Sequence, residues 1–101
     1  MGPEAKIEEA VTRYAKRRGC RVYKFTSPSR RSVPDRLFIT PNGVTGYLEL
    51  KAKGKKPTKA QAHQMRLIEE KNAPVDYADS KEKAFLWVDW LLTLPGPFPE
   101  L

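Results

Sequence analysis

Apolar positions recur along this chain with two different periods, and the changes of period mark its elements. Between residues 4 and 18, Ile7, Ala10, Val11, Tyr14 and Ala15 follow the i, i+3, i+4, i+7, i+8 spacing of one helix face. Pro3 suits a first helical turn, where its missing N–H costs nothing. Acid at the start (Glu4, Glu8, Glu9) and base at the end (Lys16, Arg17, Arg18) complement the helix dipole, and Gly19 is a stop. From Arg21 to Phe25 the period falls to two, which predicts a strand. Residues 36–40 and 44–51 read as two more strands, joined by Pro41-Asn42-Gly43, where Asn-Gly supplies the positive φ of a hairpin turn. Thr58-Lys59-Ala60-Gln61 matches a capping box and opens a helix that runs to about Lys71, with Asn72 at its end. Residues 74–78 form a short fourth strand. Ser80 N-caps a last helix, Lys81 to Leu94, and the Pro-rich tail 95–101 cannot be helical. The predicted order is α-β-β-β-α-β-α, an α/β fold.

Composition narrows what such a fold would do. At 101 residues the chain is expected to be one domain with a core from about 4 to 94. Its net charge of +7 favours polyanions, nucleic acid first and anionic membrane second. Cys20 is the only cysteine, so no intrachain disulfide is possible and a reducing compartment is expected. With one Cys and one His, a zinc site is not expected. His63 reads as a surface residue. No run of about 18 apolar residues predicts a membrane span, and no signal region is visible, so the expected location is cytoplasmic.

Candidate chemistry gathers on the predicted hairpin. Asp35 and Glu49 lie fourteen residues apart, and a strand-turn-strand between them returns the chain to its starting end. Lys51 follows Glu49 by two and so shares its face of the strand. Two carboxylates and an amine at one sheet edge suit a hard divalent cation and a phosphoryl group, the outline of a metal-dependent nuclease. The loop before Asp35 carries Ser27, Arg30 and Arg31, donor types that phosphate oxygens take. The tract after Lys51 carries Lys53, Lys55 and Lys56, suited to sequence-independent phosphate contact.

Other residues have two readings. Glu4 and Glu8 share a flank of the first helix while Glu9 faces elsewhere, and spacing alone does not choose between the first two. Gln61 reads equally as a cap and as a side chain facing the sheet. Phe85, Trp87, Trp90 and Leu91 on the last helix exceed what so small a core is expected to absorb, which suggests a dimer contact there.

The whole ordered set resembles the PD-(D/E)xK nuclease superfamily, and within it the stand-alone VRR-NUC domains of phages and bacteria. The residues that carry the resemblance are Ile7-Glu8, the segment from Ser27 to Pro34-Asp35, Leu48-Glu49-Leu50-Lys51, Gly54-Lys55-Lys56-Pro57 and Gln61. It covers roughly residues 4 to 92 and implies a restriction-endonuclease-like core, a small mixed central sheet flanked by helices. It implies that Asp35, Glu49 and the Leu50 carbonyl bind Mg2+ or Mn2+, that Lys51 assists the attacking water, that Glu8 completes the acidic cluster, through a water or directly, and that Gln61 orients the site. An arginine of the family falls at Arg30 or Arg31. The implied activity is a structure-selective DNA endonuclease, a homodimer cutting branched DNA such as four-way junctions. The alternatives are a flap- or nick-directed nuclease and a non-catalytic DNA-binding module of the same fold.

Overall fold

Residues 2–97 are described by a computed structural model of the chain. The elements are α1 (Pro3–Arg17), β1 (Arg21–Lys24), β2 (Arg36–Ile39), β3 (Thr45–Leu50), α2 (Lys59–Glu70), β4 (Val75–Ala78) and α3 (Lys81–Thr93), in the expected order. Of the Pro-rich tail, residues 98–101 lie outside the described residues. No helix among the described residues is long and apolar enough to cross a membrane.

Local chemistry sets the element ends. Pro3 opens α1, and Gly19, at φ 86°, lets the chain turn away after the Arg18 N–H bonds the Ala15 carbonyl and the Gly19 N–H the Lys16 carbonyl. The capping box of α2 forms in full: the Thr58 hydroxyl accepts from the Gln61 N–H at 3.1 Å, and the Gln61 side chain accepts from the Thr58 N–H at 2.9 Å. Ser80 caps α3 through the Lys83 N–H.

The strands form one mixed sheet in the order β1-β2-β3-β4, antiparallel except for the parallel β3–β4 pair. The alternation of each strand sorts its residues onto two unequal faces. One face carries Phe38, Leu48, Leu50 and Ala78, all buried beneath α1 and α3 together with Val11, Ala15, Ala84, Val88 and Leu91. The other face is covered by α2 alone, and no residue of α2 is buried.

The core takes up more of the last helix than its sequence suggests. Trp87 stands edge-on to Phe38 with ring centroids 5.2 Å apart, Phe85 stacks on Tyr14 at 4.1 Å, and Leu91 is fully enclosed. The proposed dimer surface of Phe85, Trp87, Trp90 and Leu91 is therefore corrected: of the four, only Trp90 is exposed, beside Leu86. Gly46 permits this packing. A Cβ there would lie 2.8 Å from both Leu91 Cδ1 and Trp87 Cη2, closer than packed carbon atoms come, so these buried side chains would have to shift. Gly46→Ala is expected to lower stability by about 1–3 kcal/mol, the usual range for overpacking. A denaturation midpoint equal to that of the unmodified protein would contradict this packing.

Candidate active site

The hairpin register brings the two carboxylates together. Its turn closes with the Thr40 N–H bonding the Val44 carbonyl and the Gly43 N–H returning to the Thr40 carbonyl, both at 2.9 Å. Of the turn residues only Gly43 has positive φ. Arg36 then pairs with Leu48. Continued one residue beyond the ladder, this register sets Asp35 opposite Glu49. Bonded and non-bonded pairs alternate along an antiparallel ladder, and this pair falls in the non-bonded position, where Cα atoms are about 4.5 Å apart and side chains are nearest. On its other side Asp35 is fixed by β1: the Phe25 N–H bonds the Asp35 carbonyl at 2.7 Å.

The proline before Asp35 has a role in the same ladder. The next bonded position pairs Pro34 with Leu50, and Pro34, itself fully buried, has no N–H to give. Pro34 therefore offers the Leu50 carbonyl no ladder bond from β2.

Burial and the second carboxylate dominate the electrostatics of the pair. Glu49 is 9% exposed, and among the described residues it makes no hydrogen bond or ion pair. Burial first, and then the Asp35 charge, push its carboxyl from 4.5 up to about 7, with Glu4 adding to the effect and Lys51 and Arg36 opposing it. Two facing carboxylates and the Leu50 carbonyl fit a hard cation of the Mg2+ type, which is held by one or two carboxylates and completed by water and substrate phosphate. No group of three or more His, Cys, Asp or Glu comes together as a ready-made cage among the described residues.

The helix-one acids divide. Glu8 pairs with Nη2 of the Arg36 guanidinium, whose Nη1 pairs with Asp35, so it joins the carboxylate pair through Arg36 rather than directly. Glu4 makes no such pair, and its charge is felt at Glu49. Glu9 faces away and pairs with Arg13 at 2.8 Å. Gln61 serves as the cap of α2, as described above, and Lys51 is anchored by its N–H to the Ala78 carbonyl at 2.9 Å. Ser27, Arg30 and Arg31 in one loop and Lys53, Lys55 and Lys56 in another leave the sheet at this same end. All five cations are exposed, and none makes an ion pair among the described residues.

Arg36 is the residue that sequence reasoning missed. It is 8% exposed, with Nη1 3.2 Å from an Asp35 carboxylate oxygen and 3.1 Å from the Asp35 carbonyl, while Nη2 holds Glu8. Its Nε is buried without a partner. The available signal was parity: an arginine directly after Asp35, two before Phe38, must face the core side. Arg36→Met should cost about 1–2 kcal/mol, because both carboxylates are partly exposed and can turn to water. It should weaken divalent-cation affinity by about 10–100-fold, the usual cost of losing a group that orients a ligand. Calorimetric titration with Mn2+ reads this directly, and unchanged affinity would remove Arg36 from the site.

No family model matches the chain. A protein of Acyrthosiphon pisum secondary endosymbiont phage 1 named "Putative nuclease p44" is 47% identical over 58 residues, which are 57% of this chain and 62% of that relative's own length. Solved structures similar to this chain include two VRR_NUC domains. One, a "VRR_NUC domain", has a TM-score of 0.83 at 22% identity and covers 88% of this chain and 97% of its own. The other, a "VRR_NUC domain protein", has a TM-score of 0.77 at 13% identity over 95% and 93%. The fold of this chain is that of VRR-NUC domains.

Proposed function

We propose that the chain is a metal-dependent DNA endonuclease of the VRR-NUC type, acting in the cytoplasm of a bacterial or phage-infected cell. One observation carries this reading: Asp35 and Glu49 face each other without a protein partner for Glu49, in a fold shared with VRR-NUC domains and at the end where two basic loops emerge. Asp35, Glu49 and the Leu50 carbonyl would hold Mg2+ or Mn2+, whose chemistry is to polarise the scissile phosphate and acidify a water. Lys51, whose charge reaches Glu49, offsets negative charge gathering on the phosphate and holds the attacking water in line. Water oxygen bonds to phosphorus and gives its proton to solvent, while the bond to the leaving sugar oxygen breaks and that oxygen takes a proton from solvent to leave as a hydroxyl. Arg36 fixes Asp35 throughout.

The finer proposal is selectivity for branched DNA by a homodimer. One chain offers one carboxylate pair, and symmetric cleavage of a four-way junction needs two such sites related by a two-fold axis. Incubation with synthetic junction, flap, nicked and linear duplex DNA, with Mg2+, Mn2+ or EDTA, tests both levels. Cutting of junctions alone supports the dimer; cutting of flaps alone favours the flap-directed reading. No cutting of any substrate leaves only a DNA-binding module.

DNA affinity should be dominated by the loops. If about five of Arg30, Arg31, Lys53, Lys55 and Lys56 meet phosphates, the slope of log affinity against log salt is about −4.5 per subunit. Replacing Lys55 and Lys56 by Ala should make that slope shallower by about two and weaken binding to all sequences alike. An unchanged slope would move the DNA path away from this loop.

A further inference from the structure

We infer that the cavity beside the carboxylate pair is a subsite for one unpaired nucleobase of the strand whose backbone crosses Asp35 and Glu49, an inference that rests on the nuclease reading above. The cavity holds about 360 Å³ and is lined by Phe25, Val33, Tyr47, Leu67, Ile68, Lys71 and the half-buried Ala73. It exists because α2 covers its face of the sheet incompletely: the helix is amphipathic, yet none of its residues is buried, and Leu67 is 40% exposed. On the opposite face Phe38, Leu48 and Leu91 are fully enclosed, and the recess there, about 320 Å³ between β4 and the outer side of α3, lies by Val75, Asp76 and Trp90, away from the carboxylate pair.

Its position ties it to the site. Phe25 bonds the Asp35 carbonyl at 2.7 Å, and Tyr47 precedes Glu49 by two residues on the same face of β3. The Phe25 and Tyr47 rings meet edge to face with centroids 5.9 Å apart. A phosphate at the carboxylates therefore has an aromatic-walled recess directly beside it.

The lining chooses the occupant. Aromatic and aliphatic walls accept the π-face of any base, and the Lys71 ammonium can meet a base-edge acceptor or the next phosphate. The volume sits at the small end of ligand-sized clefts, room for a single base. The neighbouring loops, with five exposed and unpaired cations, draw a polyanion to this end. A base within a duplex has both faces covered and enters only after unstacking. The cavity therefore favours strands already open: a flap, a fork arm or the centre of a junction.

The test reads binding without cleavage. Forked DNA in EDTA is titrated by fluorescence anisotropy while a single abasic position is walked along the unpaired strand. One position is expected to weaken binding about tenfold, with its neighbours near unchanged. Ala73→Leu, which fills the cavity, should abolish that position dependence and lower affinity to the abasic level. Should Ala73→Leu fail to fold, Leu67→Asn makes the same comparison at a wall position that is already part-exposed. A flat abasic walk overturns the inference. So does a folded Ala73→Leu variant with unchanged DNA affinity, whether it is merely more stable, which marks a packing gap, or altered in sedimentation, which marks a contact between copies. If the protein cuts nothing in Mg2+ or Mn2+, the nuclease reading fails while the abasic walk still decides this one.

Discussion

Asp35→Asn and Glu49→Gln are each expected to reduce Mg2+- or Mn2+-dependent cleavage by about a thousandfold or more, with the fold retained. Each change swaps one oxygen for an amide nitrogen of nearly the same size, so packing is preserved while a charged donor to a hard cation is lost. The site has little redundancy. Glu8 is held by Arg36, and no third acid is gathered with the pair among the described residues. Either change therefore leaves one carboxylate, a neutral amide oxygen and the Leu50 carbonyl, with half the negative charge facing the ion and a correspondingly weaker hold on it. DNA affinity in EDTA should be equal or higher, because removing a negative charge beside a phosphate path reduces repulsion. Circular dichroism and anisotropy check that fold and binding persist, and single-turnover assays read the rate. Either variant cutting at near the unmodified rate would dismiss the pair as the catalytic centre.

What was legible in the sequence was what local chemistry controls. The capping box at Thr58 and Gln61, the Ser80 cap and the Gly43 turn depend on residues three or fewer apart, and each forms as expected. The meeting of Asp35 and Glu49 was legible because the hairpin turn fixes the register and period two fixes the face. The partners of Arg36 were not, since Glu8 reaches it from a helix whose docking angle no spacing encodes. The fate of α3 was hidden for a related reason. Ala84, Phe85, Trp87, Val88, Leu91 and Leu92 make it apolar around most of its circumference, and only packing against α1 and the sheet decides that Leu86 and Trp90 stay outside. The cavity under α2 was illegible altogether: an amphipathic pattern predicts that a helix face turns inward, not how completely it is covered.

Cleavage should fall steeply on the acid side of neutrality, and stability should move the opposite way. Glu49 must be ionised to serve as a donor, and burial together with Asp35 raises its carboxyl to about 7 in the folded protein. At cation concentrations well below saturation, the rate is therefore expected to drop about tenfold per pH unit below neutrality, since each proton bound displaces the ion. Raising the cation concentration should move this limb to lower pH, as the ion competes with the proton for the same oxygens. For stability, a carboxyl whose folded value lies above the unfolded 4.5 binds its proton more tightly when folded. Its favourable contribution is fully present below about 4.5 and is lost as pH rises through about 7, by on the order of 3 kcal/mol without cation. Glu49→Gln, which cannot ionise, should thus be more stable than the unmodified protein at pH 8 in EDTA, with the advantage vanishing at pH 4.5. Added Mn2+ at pH 8 should restore stability to the unmodified protein and do nothing for the variant. Thermal melts at the two pH values, with and without Mn2+, read all four conditions. A Glu49→Gln protein no more stable than the unmodified one at pH 8 would mean that the carboxylate is already compensated by protein groups, leaving no unmet charge for a cation to satisfy.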